Sequence, residues 1–213
     1  MKKILSLLAV CLFSLSVSAE TLKEGVHYEV ISEKATSTPE IKEFFSYYCP
    51  HCFTFEPLAK RLSAKADNAN FKFEKSHVDF LRAAGPDIQF MLTKALVAAD
   101  KLNKPEVNDA IFQYIHKNRS VFTSEKDVRQ IFIANGVSGE DFEKTFNSFG
   151  VKAQAKNMKK LQNDYAKKRV LTGVPTFIVN GKYKIINQGF NARTYGELFD
   201  QLEGAALELV KKK

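Results

Sequence analysis

The sequence predicts an α/β fold interrupted by an all-helical insertion. Three observations predict it. Strand-like segments gather at the two ends of the chain, around residues 27–78 and 176–186. The stretch between them, from Pro86 to about Lys168, is patterned with a period of 3.6. A closely spaced cysteine pair, Cys49 and Cys52, stands where the first strand block gives way to a helix.

The chain begins with an address. Lys2 and Lys3 precede an apolar run from Ile4 to Val17, and Val17-Ser18-Ala19 places small residues where a signal peptidase cuts. A run of about 14 residues falls short of the ~20 that span a bilayer as a helix. A signal peptide over 1–19, cleaved after Ala19, is expected, with an uncleaved anchor as the alternative. The short basic start points to a bacterial periplasm. Cleavage lowers the formal charge of +8 by two and removes Cys11, so only Cys49 and Cys52 remain of three cysteines. Export puts that pair where disulfides persist. With 45% hydrophobic and 26% charged residues, the chain is too apolar to be disordered.

The elements follow in order. His27–Ile31 and Glu40–Tyr48 carry β-branched and aromatic residues and are expected as strands. After Cys49 a helix runs to about Ala66 on Phe53, Leu58 and Leu62, and Pro57 should kink it. Phe71–Val78 alternates as a strand. Pro86 and Pro105 fit first-turn positions, and Ile88, Met91, Leu92, Ala95 and Leu96 form one helical stripe. Ser124 with Asp127, and Ser138 with Asp141, resemble capping boxes, while Asn135-Gly136 closes the helix of Val128, Ile131 and Phe132. Phe142, Phe146 and Phe149, spaced i, i+4, i+7, are expected as a buried stripe. About five consecutive helices result. Thr176–Val179 and Lys182–Ile186 then flank Asn180-Gly181, a preferred two-residue hairpin turn. Thr194–Lys211 closes the chain as an amphipathic helix, with Leu198, Leu202 and Leu209 inward. The expected division is 20–81 and 163–213 for the α/β part, with the helical insertion over 82–162.

Cys49-Pro50-His51-Cys52 carries the chemistry. A helix N-terminus offers unsatisfied N–H groups and a partial positive charge. A Cys49 thiolate there would receive both, Pro50 fits the first turn, and His51 can add a donor or a charge. Each effect lowers the thiol pKa. A stabilised thiolate stabilises the reduced pair, so the disulfide becomes an oxidant. Cys52, one turn further in, would be the less accessible partner. A zinc site would need two more ligands, and the other histidines, His27, His77 and His116, supply no second paired motif. A permanent disulfide across two intervening residues would constrain little chain.

Glu43 to Cys52, followed by Phe55-Glu56-Pro57, resembles the active-site segment of the bacterial DsbA family. Thr172-Gly173-Val174-Pro175 and Val179-Asn180-Gly181-Lys182-Tyr183 resemble its second active-site segment, in matching order. The resemblance covers essentially the whole chain after Ala19. It implies a thioredoxin-like fold with a helical insertion, and a periplasmic thiol:disulfide oxidoreductase that donates disulfides to reduced, unfolded exported proteins. A low thiol pKa and an oxidising disulfide are known traits of that family, so the argument from the helix terminus agrees with them without being independent.

By position, Cys49 is the expected nucleophile, Cys52 its buried partner and His51 the tuning residue. Val174-Pro175 matches a cis-proline loop that would turn the Val174 backbone toward the cysteines, where a substrate peptide could pair as an added strand. Glu43 matches a buried acid and Lys75 a lysine near it, while Glu56 is expected at the surface as an electrostatic modifier. The resemblance implies no separate cofactor and no metal beyond the redox-active Cys49–Cys52 disulfide. It further implies re-oxidation by a DsbB-like membrane quinone reductase, a monomeric state and no nucleic-acid role. Leu81-Arg82-Ala83-Ala84-Gly85 lacks the Met-Gly-Gly pattern of the best-known members, and Ile186-Asn187-Gln188-Gly189 lacks their proline; by resemblance both segments are expected near the groove where the family binds its partners.

The competing readings are a periplasmic isomerase or reductase, and a peptide-binding chaperone with an incidental dithiol. The positive excess at Lys152, Lys156, Lys159, Lys160, Lys167, Lys168 and Arg169 is expected as a solvated helix face, with attraction to an anionic membrane as the alternative.

Overall fold

The computed structural model describes residues 21–212, so the predicted signal peptide over 1–19 lies outside the described residues. Strand β1 (Tyr28–Val30) is followed by β2 (Glu40–Phe45), helix α1 (Pro50–Ala66) and β3 (Lys72–His77). The helical block follows: α2 (Pro86–Lys101), α3 (Glu106–His116), α4 (Glu125–Ala134), α5 (Gly139–Phe146) and α6 (Phe149–Lys167). Strands β4 (Thr176–Val179) and β5 (Tyr183–Ile185) return the chain to the sheet, and α7 (Tyr195–Leu209) ends it.

The sheet order is β1-β5-β4-β2-β3, so β4 is central and β2 lies between it and the edge strand β3, parallel to β3 and antiparallel to β4. Strand period sorts the side chains of β2 between two layers. Ile41 joins the core built by Phe55, Leu58 and Leu62 of α1 and Leu202 and Leu209 of α7. Phe44 packs on the opposite side with Val78, Val170, Leu171 and Ile178. The third core holds the helical block together and reaches Cys49 and Cys52, so the insertion forms one wall of the cysteine site.

Local signals act as expected at several joints. Asn180 and Gly181 both have positive φ, 53° and 60°, which the tight turn between β4 and β5 requires. The Asn180 side chain does further work: its Oδ1 accepts from Glu40 N at 3.0 Å, and its Nδ2 donates to the carbonyls of Val210 (3.1 Å) and Lys212 (2.9 Å). It thereby ties the hairpin to β2 and to the end of α7. The Ser124–Asp127 capping box is formed, Ser138 and Ser148 cap α5 and α6, and Gly136, at φ 78°, follows the end of α4. Helix α1 continues across Pro57, which is exposed.

One expectation fails. Phe142 and Phe146 are fully buried, but Phe149 is 87% exposed. The i, i+4, i+7 spacing crosses Asn147 and Ser148, where α5 stops and α6 starts with a new cap and a new phase. Phe146→Ala should therefore lower stability by about 3–5 kcal/mol. Phe149→Ala should change it by no more than about 0.5 kcal/mol, as expected of an exposed site. Denaturant unfolding of the two variants measures both.

Candidate active site

Strand β2 ends at Phe45, and Ser46–Tyr48 turn the chain into α1. Cys49 is the N-cap of α1, with extended backbone (φ −93°, ψ 113°), and Pro50 occupies the first helical position. The Cys52 backbone N–H donates to Cys49 Sγ at 3.2 Å. The sulfur thus takes the place of the serine or aspartate oxygen that usually caps a helix. No acidic side chain stands in the first turn of α1. A Cys49 thiolate is therefore the negative group that this helix terminus receives.

The cysteines are in the dithiol form, and their environments differ. Cys49 retains 6% exposure and Cys52 none. Hydrogen bonding from the Cys52 thiol, working against partial burial and joined by the N–H groups of Cys52 and His51, lowers the Cys49 pKa to about 7. Burial and the neighbouring Cys49 push the Cys52 thiol far above the ordinary range. Near neutral pH the pair carries its negative charge at Cys49. What residue 51 supplies to the sulfur is its backbone N–H; its imidazole is exposed and lines the adjoining groove.

The second segment arrives from the other half of the sheet. The Val174–Pro175 peptide is cis, and the Cys49 thiol donates to the Val174 carbonyl at 3.5 Å. Beside it lies a groove of about 860 Å³, lined among others by His51, Phe55, Val174, Pro175, Asn187 and Tyr195. The hairpin exit at Ile186–Gln188 belongs to this wall, whereas Leu81–Gly85 is absent from its described lining. Sequence reasoning placed the segment of Asn187 near a groove by resemblance but gave its side chain no role, and it gave Tyr195 none. Asn187 Nδ2 donates to the Pro175 carbonyl at 3.2 Å and so holds the loop from behind.

Three ionisable side chains lie nearby, Glu43 and Glu56 buried and Lys75 half-buried. Glu43 and Lys75 are register partners on β2 and β3, with Glu43 Oε2 2.9 Å from Lys75 Nζ. Lys75 also pairs with Glu56 on α1. Glu43 is fully buried and Glu56 only 7% exposed, which corrects the expectation of a surface Glu56. Burial, partly offset by Lys75 and reinforced by Glu56, raises the Glu43 pKa to about 7. Burial works against the Lys75 charge, but the two acids outweigh it and raise its pKa. Tyr47, also missed in the sequence, is fully buried and donates to Asn108 Oδ1 at 2.5 Å, joining the active-site turn to α3. His116 Nε2 lies 2.8 Å from the Tyr47 carbonyl and His77 Nδ1 2.9 Å from Thr93 Oγ1, so both histidines fill structural positions. Among the described residues, no cluster of three or more His, Cys, Asp and Glu side chains could hold a metal ion.

Residues 40–202 match the family model of the DSBA-like thioredoxin domain. The chain belongs to that family. Curated relatives are thiol:disulfide interchange proteins DsbA. That of Salmonella typhimurium is 33% identical over 218 residues, and that of Pectobacterium carotovorum is 34% identical over 216 residues. Both matches cover 100% of each chain. Among solved structures, a Cys-to-Ser variant of Proteus mirabilis DsbA with the non-covalently bound peptide PWATCDS has a TM-score of 0.77. It is 31% identical and matches over 90% of this chain and 100% of its own. The fold is the thioredoxin-like fold with a helical insertion.

The buried charges give a test of this site. Lys75→Met leaves two buried carboxylates without their cation, which should cost about 3–5 kcal/mol near pH 8. Glu43 has a folded pKa raised from 4.5 to about 7, so the native state holds its proton longer than the unfolded state and loses stability as pH rises through that window. Without Lys75 that loss deepens. The difference between variant and parent should therefore shrink near pH 4, as measured by urea unfolding at the two pH values.

Proposed function

We propose that the protein is a periplasmic thiol:disulfide oxidoreductase that donates the Cys49–Cys52 disulfide to reduced exported proteins. The observation that carries this reading is the asymmetric pair: a Cys49 sulfur capping α1 beside a Cys52 thiol that resists ionisation. A substrate thiolate attacks Cys49 Sγ, the Cys49–Cys52 bond breaks, and Cys52 leaves with the electron pair and takes up a proton. A second substrate thiolate then attacks the substrate sulfur of the mixed disulfide, and Cys49 departs as a thiolate. The substrate loses two electrons and the enzyme pair gains them. A low-pKa leaving group speeds the second step.

Glu43, with a pKa near neutrality and beneath the site, is assigned the proton exchange that Cys52 requires, with Lys75 and Glu56 holding its charge. The Val174 backbone and the adjoining groove are assigned to an extended substrate segment. His51, on the groove wall, tunes the thiolate through its backbone and meets the substrate with its ring. The disulfide itself is the redox group, and no separate cofactor enters. The signal-like leader and the family relatives support export to the periplasm; the resemblance adds a monomeric state and a DsbB-like membrane quinone reductase as the re-oxidant.

Stoichiometric oxidised protein should oxidise a reduced dithiol peptide in a single fast turnover, and Cys49→Ala should abolish this. Glu43→Gln should slow the reaction several-fold and remove the rate inflection near pH 7. Repair of scrambled disulfides outpacing net oxidation would instead identify an isomerase. Activity retained by Cys49→Ala would leave only a chaperone.

A further inference from the structure

Helix α6 presents an unusual outer face. Phe149, Lys152, Lys156, Lys160, Asn163 and Lys167 follow one another at intervals of three and four residues. At 3.6 residues per turn they fall within an arc of about 80°, along a helix about 28 Å long. The buried residues Val151, Ala155 and Gln162 lie on the opposite side, so the arc faces water. All four lysines are exposed. Among the described residues none of the four forms an ion pair, whereas their neighbour Lys159 is bound to Asp79. Asp164 is the one acidic residue of the helix and lies at the edge of the arc.

The row ends on an aromatic ring. Phe149, at 87% exposure, is the most exposed large apolar side chain among the described residues. Its neighbour Gly150 leaves open the space beside which Lys101 lies, with Nζ 3.5 Å from where a Cβ would stand. A bare phenyl ring thus stands at one end of a row of cations without ion-pair partners, with Lys101 beside the next residue. A flat, evenly negative surface with an accessible apolar layer matches this arrangement: the lysines sit over lipid phosphates with their stems lying along the interface, and the ring enters between headgroups. A compact acidic protein would satisfy a few of these charges but offers neither the length nor the shallow apolar layer.

We propose that the outer face of α6 is a peripheral docking surface for anionic phospholipid membranes, anchored by Phe149. The docking does not rest on the proposed redox function.

The test uses the exported chain from Glu20, which contains every described element, and sedimentation with vesicles of phosphatidylglycerol and phosphatidylcholine or of phosphatidylcholine alone. The parent should bind the anionic vesicles and not the neutral ones, and should be released at about 1 M salt, where the screening length falls to ~3 Å. Each lysine near such a surface contributes about 5-fold in affinity, so the triple variant Lys152→Gln, Lys156→Gln, Lys160→Gln should bind about 100-fold more weakly. Phe149→Ser should weaken binding several-fold with the charge intact. Dithiol oxidation in solution should be unchanged in both variants, which certifies their fold and separates this test from that of the redox assignment. Equal binding to both vesicle types, undiminished binding by either variant, or retention by polyglutamate with no vesicle binding would overturn the proposal.

Discussion

A cysteine sulfur serves as the N-cap of α1, and the rest of the site depends on that substitution of sulfur for oxygen. A helix start leaves backbone N–H groups open and a partial positive charge behind them. Pro50 takes the position that needs no donor, and the N–H groups of His51 and Cys52 are left to face Cys49 Sγ. The charge that satisfies this terminus exists only when the pair is reduced, because the disulfide sulfur is neutral. The folded protein therefore favours its own dithiol, and the disulfide is correspondingly ready to pass to another pair of thiols.

The opposing half of the design lies inside. Cys52 is fully buried, and burial together with the Cys49 charge keeps it protonated. A reaction that cycles Cys52 between thiol and disulfide must move a proton through an apolar wall. Glu43 is the group there whose proton is held loosely near neutrality, since its burial and its pairing with Lys75 pull in opposite directions. Such a group is expensive to keep in a core unless its charge is paired. Lys75 meets that need from the adjacent strand, and Glu56 on α1 binds the same ammonium from the helix side. The three side chains link β2 and β3 to α1, the helix that carries the cysteines.

How much of this the sequence disclosed depends on how far apart the interacting residues lie. The cysteine motif, the Asn180-Gly181 turn and the Ser124–Asp127 capping box are local signals and form as read, whereas at Ser138 only half of the expected box forms, with Ser138 Oγ accepting from Asp141 N. The split of the sheet by a helical block was readable from the change in period between Val78 and Pro86. Glu56 was misplaced because its partner is nineteen residues away and becomes a neighbour only through the register of β3. A signal did exist: Glu56 lies one turn from both Cys52 and Ala59, and all three are buried. Phe149 was misplaced for the reverse reason, since a period was carried through a helix boundary that Ser148 resets. Asn187 and Tyr195 meet Pro175 and the groove only after the chain has folded back, and no spacing announces them.

The cap, the buried acid and the disulfide's proposed readiness to react all require that Cys49 be ionised under ordinary conditions. Titration of the reduced protein followed by the ultraviolet absorbance of the thiolate tests this most directly, with Cys49→Ser as the blank. A midpoint at about 7 is predicted. A midpoint at or above the free-cysteine value of about 8.5 would contradict the account, because the helix terminus would then supply nothing that distinguishes Cys49 from an ordinary thiol.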